Sequence, residues 1–230
     1  MKIGGLQETS LLDYPDTVSA IIWTAGCNFR CPFCYNKDLV NEKIKLIPED
    51  AILEFLKKRK NVLEGLTVSG GEPLIHKDLG DFLSKVKNLG YLIKIDTNGS
   101  YPKQLEELIE NKQVDYIAMD VKAPKNKYKT LAGVDVDVSK IDESIQIIKN
   151  KAPDYEFKTT VAPDLLDLED IVEIAKWIEG SKRFYLQQFK DNAFHLSEKF
   201  DNVKPYGIEE LNQILNKIKP FFKECVLRGI

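Results

Sequence analysis

The chain has 230 residues, 43% of them hydrophobic, with 33 Lys and Arg against 36 Asp and Glu for a net charge of −3. That length suits one domain with its own core, expected over residues 1–230, and the lack of a basic excess argues against nucleic acid as a partner. The opening MKIGGLQETSLLDYPD has no apolar core of signal-peptide length and no run is apolar enough to span a bilayer, so a cytoplasmic chain without membrane association is expected.

Residues 18–23 (VSAIIW) are β-branched and apolar throughout, which predicts a strand covered on both faces. Pro48 precedes a helix over 49–60 that aligns Ile52, Phe55, Leu56 and Arg59. A short strand at 66–69 is followed by a helix over 78–89, with Leu79, Phe82, Leu83, Val86 and Leu89 at helical spacing and Gly90 as its C-terminal stop. Strand 92–96 precedes helix 103–110, and strand 114–121 precedes helix 139–149, for which Ser139 is the expected N-cap. Strand 155–161 leads to helix 167–179, and strand 184–189 leads to helix 207–218. Val226-Leu227 ends the series as a short strand.

Six strand–helix units imply a parallel sheet with right-handed crossovers. A closed eight-fold barrel takes about 250 residues. The expected fold class is therefore α/β, a partial open (β/α)6 barrel, with a flat doubly wound sheet as the alternative. In either architecture the carboxyl ends of the strands share one rim, where ligands bind. Cys27–Cys34 follows the first strand and Gly70-Gly71-Glu72-Pro73 the second. Asp96-Thr97-Asn98-Gly99, Asp120-Val121-Lys122, Thr159–Pro163 and Gln187-Gln188 end the next four. Topology alone brings these segments together.

Cys27, Cys31 and Cys34 account for three of the four cysteines and fall within eight residues. Clustered thiols with Asn, Arg and Pro between them read as soft metal ligands rather than as a disulfide framework or a core segment. Zinc would need a fourth ligand, for which Cys225, His76 and His195 are candidates, and would make the chain a zinc-stabilised interaction domain. His76 and His195, each alone on a polar stretch, read otherwise as solvated surface residues. Cys225 reads as a half-buried structural thiol.

Cys-x3-Cys-x2-Cys with Phe33 before the third cysteine resembles the signature of the radical S-adenosylmethionine superfamily, whose usual core is the six-unit partial barrel. The resemblance implies an oxidoreductase with one 4Fe–4S cluster on Cys27, Cys31 and Cys34. S-adenosylmethionine would chelate the open iron, and its reductive cleavage would give a 5′-deoxyadenosyl radical. It further implies that Gly70, Gly71 and Glu72 meet the cofactor's amino group. Lys122 would meet its carboxylate, Asp120 a ribose hydroxyl or a cation, and Phe33, Cys34 and Tyr35 its adenine. Asp96 and Asn98 join this set, and Asp96 with Asp120 would hold a small monovalent cation. Arg30 would anchor the loop.

The opening Gly4–Pro15, the Cys-Pro-Phe-Cys-Tyr-Asn run, Asp-Val-Lys-Ala-Pro and the terminal Leu227-Arg228-Gly229 are similar to glycyl-radical-enzyme activating proteins of the anaerobic ribonucleoside-triphosphate reductase type. That similarity implies a glycyl radical enzyme as the protein substrate and an external electron donor such as flavodoxin or ferredoxin. The alternative within the superfamily is a small-molecule enzyme of the 7-carboxy-7-deazaguanine synthase type.

Overall fold

The computed structural model describes residues 1–191 and 194–230. One sheet runs in chain order through β1 (Ile3–Ser10), β2 (Ser19–Thr24), β3 (Gly65–Gly70), β4 (Leu92–Thr97), β5 (Tyr116–Asp120), β6 (Tyr155–Val161), β7 (Arg183–Gln188) and β8 (Glu224–Arg228). β2 to β8 are parallel, and β1 lies antiparallel on β2. β1 and β8 are the two edges, so the sheet curls without closing.

Helices α1 (Lys37–Val40) and α2 (Glu49–Arg59) follow β2. Next come α3 (Leu79–Asn88), α4 (Pro102–Glu110), α5 (Tyr128–Ala132), α6 (Val138–Lys151), α7 (Leu168–Trp177) and α8 (Ile208–Ile218). β2 to β7 and their crossovers are the six expected units, and the fold is the expected partial open barrel. The alternating apolar positions of the strands, among them Ile22, Val68, Ile95, Ile117, Phe157 and Phe184, are buried in one core with Phe82, Leu105, Ile145 and Ile174 of the helices. Each such side chain stabilises the fold by about 1.5–3 kcal/mol.

Two local expectations change. β1 escaped the sequence reading because IGGLQETS lacks the apolar alternation of a covered strand, as suits a sheet edge. The N-cap of α6 is Asp137, whose carboxylate accepts from Ser139 N–H at 3.1 Å. Gly90 does close α3, at φ +82°.

The inner face of the sheet is polar, unlike the apolar layers that fill a closed barrel of this kind. Arg228 makes two hydrogen bonds to Glu156, at 2.7 and 3.1 Å, and lies 3.4 Å over the Tyr185 ring. Tyr116 Oη donates to the same carboxylate at 2.8 Å. Charges so paired tolerate burial.

Candidate active site

The cysteine loop leaves β2 at Gly26, whose φ of +92° turns the chain outward. It is then held from several directions. Gly26 N–H donates to Leu39 O at 2.8 Å, and Arg30 N–H to Ala132 O at 2.7 Å. Leu196 N–H donates to Cys34 O at 2.8 Å, and Ser197 N–H to Pro32 O at 3.0 Å. Arg30 Nη1 donates to the carbonyls of Cys27 and Phe29, which gives it the anchoring role expected of it. Within the loop, Cys34 N–H closes a turn on Cys31 O at 3.0 Å, and Phe29 N–H donates to Cys27 Sγ at 3.4 Å.

All three thiols are free, and they line a cavity of about 500 Å³ at the carboxyl ends of the strands. Burial pushes the Cys27 thiol up to about 11, with Glu72 adding to it, and the Cys31 thiol up to about 12. Burial raises Cys34 as well, while Lys122 opposes the rise at all three. Without metal these are neutral thiols, so the cavity is built to stabilise thiolate only when a cation is bound beside it.

None of the three candidates for a fourth zinc ligand lines the cavity with the cysteine loop. Cys225 is buried in the apolar layer with Phe184 and α8, on the face of β8 away from the cavity. His76 lies with Nε2 3.1 Å from Ala25 O. His195, expected at the surface, is 1% exposed and stacked on Phe189 at 4.8 Å. Its ring nitrogens face Asp201 Oδ1 at 3.2 Å and Lys190 O at 2.9 Å. That packing fixes the segment whose next two residues clamp the cysteine loop. Among the described residues, no three His, Cys, Asp or Glu side chains converge as one ion would require.

Gly70 and Gly71 join the site for a reason the sequence did not reveal. Gly70 has φ +122°, and a Cβ there would meet Thr24 N at 2.3 Å. Gly71 N–H donates to Thr24 O at 2.9 Å, and Glu72 N–H to Gly26 O at 3.0 Å. The glycines let the end of β3 lie against the root of the cysteine loop.

Of Glu72, only the backbone is left to serve the expected contact. Its side chain turns away from the cavity and is fully buried. It accepts from Leu74 N–H at 3.1 Å, Thr97 Oγ1 at 2.7 Å and Asn98 N–H at 2.6 Å. Burial pushes this carboxyl up to about 7 against those three donors. The Glu72 side chain therefore supports the floor of the site by joining the ends of β3 and β4. Asn98 borders the cavity, but its side-chain amide is already committed, donating to Asn28 Oδ1 at 2.9 Å. Asn28 in turn donates to Ser100 Oγ at 2.8 Å, a tie between cysteine loop and β4 that sequence reading missed.

Asp96, Asp120 and Lys122 line the cavity as expected, with Lys122 Nζ 3.1 Å from Asp120 Oδ1. Burial works against the Lys122 charge, but Asp120 more than offsets it and keeps the ammonium protonated. Lys94 and Lys158, which the reading passed over, also enter this face and pair with Asp96. Burial opposes its charge, yet these two lysines hold Asp96 well below the usual carboxylate range. A signal was available: each lysine sits mid-strand in phase with polar neighbours, where an unpaired lysine is rare. Phe33 is buried at the cavity wall, and Tyr35 is 48% exposed at its mouth under Lys190, 4.7 Å from the ring centroid.

An open α/β barrel with three unbridged thiols beside a charged rim cavity defines a cofactor-dependent enzyme. Its family follows from comparison: the Radical SAM superfamily model matches residues 21–178, and the chain belongs to that superfamily. A Methanocaldococcus jannaschii protein, provisionally named a glycyl-radical enzyme activating enzyme, is 33% identical over 99% of this chain and 96% of its own length. Two solved structures share the fold. Streptococcus suis SuiB bound to S-adenosylmethionine aligns with a TM-score of 0.70 at 18% identity over 91% of this chain, which spans about 50% of that one. A domain of pyruvate-formate lyase-activating enzyme from Bacteroides vulgatus aligns at 0.57 and 17% identity, over 72% of this chain and 99% of that domain. The protein is a radical S-adenosylmethionine enzyme, and membership implies a 4Fe–4S cluster and S-adenosylmethionine. The free thiols and the size of the cavity fit both. Among the described residues, no helix is long and apolar enough to cross a membrane.

Proposed function

We propose that this chain activates a glycyl radical enzyme. The match to the Methanocaldococcus jannaschii relative, over 99% of this chain and 96% of that one, carries the reading. In this reading Cys27, Cys31 and Cys34 hold the cluster and leave one iron open. Together the bound cluster and S-adenosylmethionine supply, on one-electron reduction, a 5′-deoxyadenosyl radical that takes one hydrogen from a glycine Cα of the partner.

The chain's own residues bind and orient. Gly70 and Gly71 offer strand-end backbone to the cofactor's amino group, and Lys122 offers its ammonium to the carboxylate. Phe33, Cys34, Tyr35 and Asn98 border the adenosyl end, with Asp120 toward the ribose. A partner's loop would enter at the open side of the barrel, where β1 and β8 are unpaired edges. Among the described residues one cysteine loop is present, and in this reading the electron comes from an outside donor such as flavodoxin or ferredoxin.

The test is anaerobic. The reconstituted protein is mixed with reductant, S-adenosylmethionine and a candidate glycyl radical enzyme, and paramagnetic resonance is recorded. A glycyl radical with matching 5′-deoxyadenosine is expected. Turnover of a small molecule with no protein radical would favour the 7-carboxy-7-deazaguanine synthase type instead.

A further inference from the structure

Asp96 and Asp120 end β4 and β5 on the inner face of the sheet, where the sequence led us to expect a monovalent cation between them. The residues present do not fit that expectation. Lys158 Nζ stands between the two carboxylates, 3.1 Å from Asp96 Oδ2 and 3.7 Å from Asp120 Oδ2. Lys94 covers Asp96 Oδ1, Lys122 covers Asp120 Oδ1 at 3.1 Å, and Ser69 Oγ donates to Asp96 Oδ2 at 3.1 Å. Three ammonium groups thus serve two carboxylates. An inorganic cation entering here would meet oxygens already engaged and a net positive charge.

The position of Lys158 is imposed by the ladder. It is the register partner of Asp120 across β5 and β6, so both side chains leave the sheet on one face. Asp96 is the register partner of Ala118, two residues before Asp120 on the same face, and that small side chain leaves a path over β5. Lys158 is therefore a fixed charge rather than a mobile surface lysine, and its side chain is 12% exposed.

We propose that Lys158 is the resident cation of the Asp96–Asp120 pair, so that this chain binds S-adenosylmethionine without an inorganic monovalent cation. Lys158 is a positioning residue in this scheme: it bridges both carboxylates, so that Lys122, which touches Asp120 alone, can turn its ammonium to an incoming carboxylate without leaving Asp120 uncompensated. The inference rests on S-adenosylmethionine as the cavity's ligand and not on the identity of the radical's target.

Equilibrium dialysis of S-adenosylmethionine with the cluster-loaded protein tests it, in potassium, sodium and tetramethylammonium chloride at equal ionic strength. Wild-type affinity is expected to agree across the salts within about twofold, whereas Lys158→Met should bind about tenfold more weakly in tetramethylammonium and recover in potassium or sodium. Thermal midpoints should follow the same pattern, with the small cations raising that of Lys158→Met alone. Wild-type binding that requires potassium or sodium would overturn the proposal, and so would a Lys158→Met protein indifferent to the cation. If the variant does not fold, the wild-type comparison still decides. No binding in any salt would instead sink the cofactor assignment, and the wild-type midpoints would still judge Lys158.

Discussion

Gly71 lies so close to Gly26 that a Cβ at position 71 would fall 1.8 Å from the Gly26 carbonyl oxygen. The end of β3 and the root of the cysteine loop are in backbone contact, and no rotamer change relieves a methyl group placed there. Gly71→Ala is expected to cost about 1–3 kcal/mol through backbone displacement. It should also lower iron and sulfide content after reconstitution to less than about half. A melting curve of the cluster-free protein and a metal count check both.

The cysteines divide sharply. Cys31→Ala should abolish both cluster and cofactor cleavage. Cys225→Ala removes a sulfur from the apolar layer under α8 and should cost about 1 kcal/mol, with iron content and 5′-deoxyadenosine yield unchanged. Loss of cleavage in the Cys225 variant would restore the four-cysteine reading.

Stability of the cluster-free protein should depend on alkaline pH with a definite sign. Its thiols are raised in the fold, to about 11 at Cys27 and about 12 at Cys31, above the ordinary thiol value of 9.0. The folded state then holds protons that the unfolded state has lost. The stability this contributes is complete below pH 9 and falls as pH rises from there toward the folded values. The thermal midpoint should drop across that window. In the cluster-loaded protein Cys27, Cys31 and Cys34 carry no proton, so that drop should shrink to the part left by buried groups such as Cys225, which burial also raises to about 12. Loading should also release protons, readable in a weakly buffered titration.

Lys122→Met keeps the length of the side chain and removes the ammonium. Cofactor affinity should fall about tenfold to a hundredfold, as for the loss of a charge-assisted pair, while cluster absorbance remains. Dialysis and the visible spectrum separate the two effects. An unchanged affinity would assign the cofactor carboxylate elsewhere, with Lys158 or Lys94 next in line.

Much of this site was legible in the sequence because it depends on period and order. Apolar runs marked β2 to β7, and chain order placed six polar segments on one rim. The two-residue step from Asp120 to Lys122 put both on the cavity side. What was hidden depends on contacts between distant parts of the chain. His195 looks solvated in sequence because its cover, the Phe189 ring just past the end of β7, is reached only when the intervening segment folds back. Glu72 stands in a ligand-like tetrapeptide, yet three donors from neighbouring segments draw it into the core. The phase of Lys158 could be read from YEFKTTV, but its partner Asp96 lies two strands away. β1 gave no signal because an edge strand need not alternate.

The anchors of the cysteine loop also set an order of events. They come from Leu39, Glu72, Ala132, Leu196 and Ser197, spread from α1 to the last quarter of the chain. A nascent chain that has made only its first half can present three thiols, but not three thiols in fixed register. Long-range contacts of this kind form late, after most of the loop-closure entropy has been overcome. The three thiols therefore take up a fixed register only once segments far apart in the chain have come together, so that damage to any one of these distant anchors is felt at the cysteine loop.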